Sequence, residues 1–297
     1  MLVWLQKQLE HLHPQAWDVF VLLRLNRPIG IYLLLWPTLW ALWIAGNGHP
    51  STLNVLIFVL GVILTRSAGC ALNDYMDRHF DGQVQRTQFR PLVAGRLQPK
   101  TALRVALVLL VLSALLLVFT NILTVFLAFG ALVLMSLYPL MKRYTYYPQG
   151  VLGAAYSWGI LMAFSAQTGN VPALAFWLYA ANLLWTVAYD TYYAMVDRDD
   201  DVRVGIKSTA IALGHWDLHV IFALQVMALL CLCWTGYLAG FSDYFYVGLA
   251  AALFCFIWEI YVARSRQREA CFAAFLHSHW AGLCIWLGLV LEYTQHN

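Results

Sequence analysis

The sequence predicts an all-α polytopic membrane protein with nine transmembrane helices and its N-terminus in the cytoplasm. Three observations lead to this fold class. Of the 297 residues, 62% are hydrophobic and only 11% are charged, whereas a soluble domain carries about 25% charged residues. The apolar residues form runs of about 20, the length that an α-helix needs to cross a bilayer. Apart from Arg66 and Arg104, Lys and Arg residues are confined to alternate segments between these runs. We therefore expect one integral membrane domain over residues 1–297.

Nine apolar segments each have the length of one span. Their approximate ranges are 28–46, 53–72, 102–120, 122–141, 149–167, 171–190, 218–240, 244–263 and 273–293. A helix inside lipid satisfies its own backbone hydrogen bonds, so each segment is expected to be helical. The six Cys residues lie in or beside these segments without CxxC spacing, which is typical of small buried hydrophobic residues.

The distribution of Lys and Arg predicts the orientation. With a cytoplasmic N-terminus, the inside segments are 1–27, 73–101, 142–148, 191–217 and 264–272. The outside segments, which are 47–52, the break at 121, 168–170, 241–243 and the C-terminal tail, contain no Lys or Arg. All 18 basic residues then lie inside or at inside helix ends, with Arg66 and Arg104 the two within apolar segments. Such asymmetry marks the cytoplasmic side of a membrane protein.

Two short acidic runs, 73–81 and 190–201, contain eight of the 15 acidic residues. Each run follows an apolar segment on the predicted cytoplasmic side. At an offset of 116 residues, three positions of the first run correspond to three of the second: Asp74, Asp77 and Asp81 to Asp190, Tyr193 and Asp197. The two runs are four spans apart and have the same orientation. This pattern suggests a parallel duplication around one central cavity.

Each acidic run places oxygen ligands one helical turn apart, because residues four apart lie on one face of a helix. The two rows are Asn73, Asp77 and Asp81, and Tyr193, Asp197 and Asp201. Neither His nor Cys lies within the rows, which disfavours zinc and copper. Oxygen ligands suit Mg²⁺, which commonly joins one or two carboxylates to substrate phosphates. Two facing rows would hold two Mg²⁺ ions around one diphosphate.

A solvated acidic surface, or helix-end charges paired with nearby Arg, is the alternative interpretation of these rows. Carboxylates at the C-terminal end of a helix oppose its dipole, so stability alone would not favour them. Basic residues that could donate to a diphosphate surround both rows: Arg86, Arg90, Arg96, Lys100, Lys142, Arg143, Arg198, Arg203 and Lys207. The general excess of Lys and Arg in the cytoplasm explains part of this set.

Arg66 differs from the other basic residues because it lies within an apolar segment, about two turns or ~10 Å deeper than Asn73. An intramembrane Arg is costly and is a functional candidate by default. It could bind a diphosphate or a carboxylate on a second substrate, or extend to the interface.

The combined motifs resemble those of the UbiA superfamily of intramembrane prenyltransferases, over nearly the whole chain. They are R-P-I-G at 27–30, L-L-L-W-P-T-L-W at 33–40, N-D-x-x-D-x-x-x-D at 73–81, R-x-x-x-R-P-L at 86–92, Y-P-x-x-K-R at 138–143, Y-D-x-x-Y-A-M-x-D-R-D-D-D at 189–201 and G-I-K-S-T-A-I at 205–211. The resemblance is greatest to the branch that serves ubiquinone biosynthesis in the bacterial inner membrane.

The resemblance implies a nine-helix bundle whose central cavity opens sideways to the bilayer and whose active site faces the cytoplasm. It implies Mg²⁺-dependent transfer of a polyprenyl group from polyprenyl diphosphate to the carbon ortho to the hydroxyl of 4-hydroxybenzoate. It does not imply nucleic-acid binding. The implied metal ligands are Asn73, Asp77, Asp81, Asp197 and Asp201. Asp74 would support these ligands, and the loops 82–101 and 202–215 would close over the site.

Tyr193 stands where many family members have Asp, so it could contact substrate instead of metal. Asp190 is the candidate to orient or deprotonate the phenol. Arg27, Arg66 or Arg143 could bind the benzoate carboxylate.

Three alternatives remain open from the sequence. A related prenyltransferase could act on another aromatic acceptor, such as homogentisate or a naphthoate. A CDP-alcohol phosphotransferase is a second enzyme class, although the D-G-x-x-A-R spacing of that class is missing after Asp81. A cation transporter is the non-enzymatic alternative, although its ion sites usually lie at the midplane and not at one face.

Overall fold

The structure is a computed structural model, and it describes residues 2–295. Every regular element in that range is helical. Two short helices, α1 (Leu2–Leu12) and α2 (Ala16–Leu22), come first. The others are α3 (Ile29–Ala45), α4 (Thr52–Asp77), α5 (Pro99–Leu116), α6 (Ile122–Tyr144), α7 (Pro148–Thr168), α8 (Ala173–Val204), α9 (Thr209–Leu213), α10 (Asp217–Ala239), α11 (Asp243–Ala263) and α12 (Arg268–Gln295).

Nine of these described helices have 17 residues or more, and each coincides with one predicted apolar segment. Two of them extend by five residues or more beyond the C-terminal end of the apolar pattern. α4 continues to Asp77 although the segment was predicted to end at 72, and α8 continues to Val204 although its segment was predicted to end at 190. The apolar pattern marks the part of a helix in lipid, whereas the charged turns that follow are held by ion pairs. The predicted outer tail includes His296 and Asn297, which lie outside the described residues.

The chain is a multi-pass membrane protein. Six helical segments within 2–295 are long and apolar enough to cross a membrane: Thr52–Asp77, Pro99–Phe119, Ile122–Tyr144, Thr209–Ala239, Asp243–Ala263 and Arg268–Gln295. α3 is apolar but shorter, with 17 residues. At 1.5 Å per residue it spans about 26 Å, close to the ~30 Å hydrocarbon core of a bilayer.

α8 lies at the centre of the bundle and packs against α7, α10 and α12. More than half of its residues are buried, among them Trp185, Tyr189 and Tyr192. The Trp185 ring stacks on Trp40 of α3 with 5.5 Å between the ring centroids. By contrast, α5 and α6 each bury only two residues. Their outer faces therefore lie toward lipid, while α8 is held rigidly from several sides.

α11 and α12 approach each other closely at Gly248 and Gly288. A Cβ added to Gly248 would lie 2.9 Å from the Gly288 Cα atom and 2.8 Å from the Cys284 carbonyl oxygen. Small residues at such crossings let membrane helices pack backbone to backbone. This contact fixes α12, whose first residue, Arg268, reaches the site described next.

Candidate active site

A cavity of about 1100 Å³ lies among α3, α4, α5, α6, α7 and α8. Its wider part is apolar and is lined by α5 and α6 residues such as Leu110, Phe129 and Met135. Its other part, here named the charged end, is lined by five carboxylates and five cations: Asp74, Asp77, Asp81, Asp197, Asp201, Arg24, Arg86, Arg90, Lys142 and Lys207. A polar head and an apolar tail of one ligand can therefore be bound in one continuous space.

The first acidic run reaches the charged end from a helix and from a turn. α4 ends at Asp77, and Asp81 begins a short 3-10 turn, Asp81–Gln83. The expectation that Asn73, Asp77 and Asp81 form a row on one continuous helix was therefore wrong. All three residues nevertheless line the cavity. The turn replaces the second helical step and brings Asp81 to the same wall.

The second acidic run lies on one unbroken helix, as its spacing predicts. α8 continues to Val204, and Tyr193, Asp197 and Asp201 all line the cavity. The two runs meet at the charged end. Arg86, which follows the first run, donates to the two Asp197 carboxylate oxygens at 2.5–3.2 Å. Residues 111 positions apart in sequence are thus joined directly.

Each of three predicted metal ligands is bound by one cation. Lys142 donates to Asp77, the Arg90 guanidinium lies 2.6 Å from an Asp81 oxygen, and Arg86 binds Asp197. The loop between α4 and α5 supplies two of these cations. Burial raises the pKa of the Asp81 carboxyl above its ordinary value, although the neighbouring Arg90 opposes that shift. Burial alone would lower the pKa of Arg86, but contact with Tyr193 and Asp197 raises it above its ordinary value.

Asp74 has a different environment from the other carboxylates. It is buried and accepts hydrogen bonds from Arg24 at 2.8 and 2.9 Å, and the Arg90 guanidinium lies 2.9 Å from it. Arg90 thus contacts both Asp74 and Asp81, and the supporting role of Asp74 stays a prediction. Asp190 and Asp201 line the same cavity, and neither has a salt bridge to any residue in 2–295.

The Tyr193 ring lies against the guanidinium of Arg86. The Arg86 guanidinium is 4.4 Å from the ring centroid, and the Phe275 ring is 4.6 Å away on another side. Cation–π contact of this kind orients a guanidinium. Tyr193 therefore contacts Arg86 on one side and the aromatic ring of Phe275 on another, and its contact with substrate or metal stays a prediction.

Arg66 lines the cavity on α4 and has no carboxylate within salt-bridge distance among the described residues. Its guanidinium donates to the Cys70 sulfur at 2.9 Å and lies 5.9 Å from the Tyr156 ring centroid. Its Nε atom is buried and has no hydrogen-bond partner in the described part of the chain. A buried guanidinium without an anion, in a cavity, is suited to bind an anionic ligand.

Two other arginines proposed for the acceptor carboxylate lie farther out. Arg27 is exposed and borders the cavity. Arg143 is exposed, lies outside the cavity lining and donates to the Met76 carbonyl oxygen at 3.2 Å. Lys207 does line the cavity, and its ammonium donates to the Tyr144 carbonyl oxygen at 3.2 Å.

Several site residues were missed by the sequence analysis. Arg24 gave no signal beyond the basic character of segment 1–27, because its bond to Asp74 joins distant parts of the chain. Tyr138 lies in the Y-P-x-x-K-R motif and could have been found there, whereas Tyr156 gave no pattern. A junction at Asp200 was also missed: this carboxylate accepts from Arg268 at 2.8 Å and from the Gln85 backbone N–H at 3.3 Å.

The donor set at the charged end fits Mg²⁺ with substrate phosphate more closely than a metal held by protein alone. No three His, Cys, Asp or Glu side chains in 2–295 converge closely enough to enclose an ion. The predicted metal ligands that line the cavity all offer oxygen atoms, and they are divided between α4 with its following turn and α8. Mg²⁺ usually takes one or two carboxylates and completes its shell with water and phosphate. The separated carboxylates suit that mode.

Comparison with known proteins decides the family. The model of the UbiA prenyltransferase family matches residues 34–283. The chain belongs to the UbiA prenyltransferase family. It is 58% identical over 290 residues to a 4-hydroxybenzoate octaprenyltransferase of Pseudomonas syringae, covering 98% of both chains. It is 59% identical over 294 residues to the protein of that name in Pseudomonas aeruginosa, covering 99% of both.

Solved UbiA structures share the fold. A UbiA homologue from Aeropyrum pernix matches with a TM-score of 0.78 and 21% identity, over 89% of this chain and 97% of that one. A UbiA homologue from Archaeoglobus fulgidus, bound to GPP and Mg²⁺, matches with a TM-score of 0.70 and 16% identity, over 92% and 99%. Membership of the UbiA family decides against the phosphotransferase and transporter alternatives.

Proposed function

We propose that this UbiA family member transfers a polyprenyl group from polyprenyl diphosphate to the carbon ortho to the hydroxyl of 4-hydroxybenzoate. The products are 3-polyprenyl-4-hydroxybenzoate and diphosphate, which places the reaction in ubiquinone biosynthesis. One observation carries the proposal: a single cavity joins a charged end to an apolar part, with Arg66 free of any carboxylate partner in the described chain. The relatives named 4-hydroxybenzoate octaprenyltransferase support this acceptor over homogentisate or a naphthoate.

The proposed topology has nine spans, with the N-terminus and the charged end in the cytoplasm of a bacterial inner membrane. The nine long helices and the confinement of Lys and Arg to one side support it. The segment between α4 and α5 (residues 78–98) and the segment between α8 and α9 (residues 205–208) then lie at one membrane face. A water-soluble aromatic acid and Mg²⁺ can reach that face. The prenyl chain arrives from the bilayer and occupies the apolar part, which removes its surface from water.

The charged end is proposed to bind the diphosphate. Asn73, Asp77 and Asp81 on one wall, and Asp197 and Asp201 on the other, would hold Mg²⁺, with one ion at each wall. When bound, Mg²⁺ neutralises charge that develops on the leaving diphosphate. Lys142, Arg86, Arg90 and Lys207 donate hydrogen bonds to phosphate oxygens, which are stronger than neutral ones. These cations stabilise the negative charge as the allylic C–O bond breaks.

The acceptor is proposed to bind between Arg66 and Asp190. Arg66 donates to the benzoate carboxylate and thereby gains the anion that it lacks in the ligand-free chain. Asp190 accepts a hydrogen bond from the phenol hydroxyl, which raises the electron density of the ortho carbon. Arg27, at the edge of the cavity, and Arg143, outside its lining, are less suited to this role.

Bond formation follows from this placement. The allylic carbon, freed of diphosphate, is held beside the ortho carbon, and the ring π electrons form the new C–C bond. The ring then passes its ortho proton to the released diphosphate, a product of the same reaction, and regains aromaticity. Exclusion of water by the surrounding apolar side chains protects the cation from hydrolysis. Holding both reactants in one orientation removes much of the entropic barrier.

The test is prenyl transfer in proteoliposomes with geranyl diphosphate and 4-hydroxybenzoate, with Mg²⁺ or with EDTA. We expect a 3-prenyl product that requires Mg²⁺ and that is lost in Asp77→Ala and Asp197→Ala. Asp18→Ala is the matched control, because Asp18 pairs with Arg96 at 2.8 Å but does not line the cavity. Transfer to another aromatic acceptor but not to 4-hydroxybenzoate would exclude the proposed acceptor. No transfer to any aromatic acceptor would exclude the proposed function.

A further inference from the structure

The cations that would bind the diphosphate are already bound to the carboxylates that would bind Mg²⁺. The ion pairs are Lys142 with Asp77, Arg90 with Asp81 and Arg86 with Asp197. These pairs are largely buried, since the carboxylates have side-chain exposures of 5%, 10% and 11% respectively. Each of the three carboxylates is bound by one of these cations, and the carboxylates lie on α4, on the turn that follows it and on α8.

This pairing keeps the ligand-free charged end close to neutral. Two Mg²⁺ ions added alone would bring four positive charges next to the five cations of the charged end. A prenyl diphosphate added alone would bring about three negative charges, since a terminal phosphate carries nearly two at neutral pH. Either ligand alone thus leaves a large unbalanced charge in a partly buried space, where electrostatic interactions are strong. The two together almost cancel.

We propose that Lys142, Arg90 and Arg86 act as exchangeable internal cations. In the ligand-free chain they neutralise Asp77, Asp81 and Asp197, and on ligand binding they transfer to the diphosphate as Mg²⁺ takes their places on the carboxylates. The inference rests on the proposed function, because it takes the ligand to be a diphosphate with Mg²⁺.

The structure contains supports that would let these cations move without being lost from the site. Tyr193 lies 4.4 Å from the Arg86 guanidinium and remains a contact for it after Asp197 is released. Asp74 lies 2.9 Å from Arg90 and similarly remains when Asp81 is released. The exchanged cations therefore stay at the boundary where the diphosphate would lie.

Cation exchange makes the binding of Mg²⁺ and diphosphate mutually dependent. In the absence of diphosphate, Mg²⁺ must displace an ammonium or guanidinium group from its carboxylate. The displaced group then has no anion to bind, so Mg²⁺ alone binds weakly. Diphosphate supplies that anion. Linked sites typically change each other's affinity by about 5- to 150-fold. Because three pairs exchange together, we expect diphosphate to raise the affinity for Mg²⁺ by about 100-fold, near the upper end of that range.

The decisive experiment measures Mg²⁺ binding in the absence of diphosphate. Mg²⁺ alone is titrated calorimetrically into purified full-length protein, as wild type, Lys142→Met and Arg86→Met. Each substitution removes a competitor of Mg²⁺, so both variants are expected to bind Mg²⁺ about tenfold more tightly than wild type, within the usual range for coupled sites. If these cations only bind diphosphate, the variants will match wild type, and that result overturns the proposal.

The matched control is Arg198→Met. Arg198 is adjacent to Asp197 on α8 but binds Asp217 at 2.5 Å, away from the cavity lining. The Arg198→Met substitution removes one positive charge close to Asp197, as Arg86→Met does. If Arg198→Met raises the Mg²⁺ affinity equally, the effect is due to net charge, and the proposed cation exchange is overturned.

A second measurement uses wild type alone and does not depend on the folding of a variant. Mg²⁺ affinity is compared with and without a non-reactive thio analogue of geranyl diphosphate, with the metal bound by the free analogue subtracted. An increase below about fivefold, the lower limit of typical coupling, overturns the proposal. Prenyl transfer by the same wild-type preparation keeps the two ideas separate. If prenyl transfer occurs but the analogue does not raise the Mg²⁺ affinity, cation exchange is excluded and the proposed function stands. If the analogue raises the Mg²⁺ affinity but no acceptor is prenylated, the proposed function is excluded.

Discussion

Arg66→Met is the substitution that tests the proposed acceptor site most directly. Arg66 has no salt bridge within the described chain, so its removal leaves no protein carboxylate unpaired there. Met keeps most of the side-chain length and is apolar. We therefore expect a folded variant in which prenyl diphosphate binds normally and 4-hydroxybenzoate does not.

The size of the effect follows from the environment of the guanidinium. Truncating one partner of a buried, hydrogen-bonded charge pair costs about 2–5 kcal/mol. The Arg66 Nε atom is buried, but the cavity around it is open to a ligand and partly to water. A value near 3 kcal/mol corresponds to a rise of about 150-fold in the KM for 4-hydroxybenzoate. The KM for geranyl diphosphate should stay within about threefold, since Arg66 is not at the charged end.

The assay compares two acceptors as well as two proteins. 4-Hydroxybenzamide has the same ring and phenol but no carboxylate, so wild type should use it poorly and Arg66→Met should lose nothing further. Arg27→Met is the matched control, because Arg27 lies at the exposed edge of the cavity, and its KM for 4-hydroxybenzoate should change by less than about fivefold. An equal rise for the acid and the amide in Arg66→Met would refute the assigned contact.

Three further substitutions test other parts of the site and fold. Asp190→Asn should lower kcat by about 10²- to 10⁴-fold, with little change in the KM for geranyl diphosphate, if Asp190 activates the phenol. Arg268→Ala should lower kcat/KM for geranyl diphosphate by about tenfold or less, because the partly exposed Arg268 anchors the loop that carries Arg86, whereas Arg203→Ala should have no effect beyond twofold, since exposed pairs contribute about 0–1 kcal/mol. Gly248→Leu should destabilise the protein by about 1–3 kcal/mol or more through overpacking, measured as a lower thermal unfolding midpoint.

The helices of the membrane domain were predictable because lipid imposes one strong requirement on sequence. An apolar run of about 20 residues has few alternatives to a spanning helix. The ends of α4 and α8 were not predictable in the same way. Beyond residue 190 the hydropathy signal stops, yet α8 continues because the partly exposed Arg86 and Arg268 stabilise its buried carboxylates.

The candidate site was predictable only where residues close together in the sequence also lie together in the structure. The four-residue spacing of Asp197 and Asp201 predicts a common helix face, and α8 shows it. The first run has the same spacing but does not lie on one helix face, because α4 ends at Asp77 and a turn carries Asp81. Arg24 lies 50 residues from Asp74, so no local pattern could pair them.

The two acidic motifs hold their corresponding carboxylates in different environments. Asp74 and Asp190 occupy equivalent positions of the repeat, but Asp74 is bound by Arg24 and Arg90, whereas Asp190 has no salt bridge in residues 2–295. A carboxylate held by two guanidiniums is fixed and can only support its neighbours. A carboxylate that is buried without a cation can accept a proton or a hydrogen bond from a ligand. The first copy is therefore suited to fix the cations that bind diphosphate, and the second leaves one carboxylate for the phenol. Arg24, which lies outside both acidic motifs, supplies one of the two guanidiniums that bind Asp74. Arg24→Met should therefore weaken diphosphate binding without affecting the acceptor.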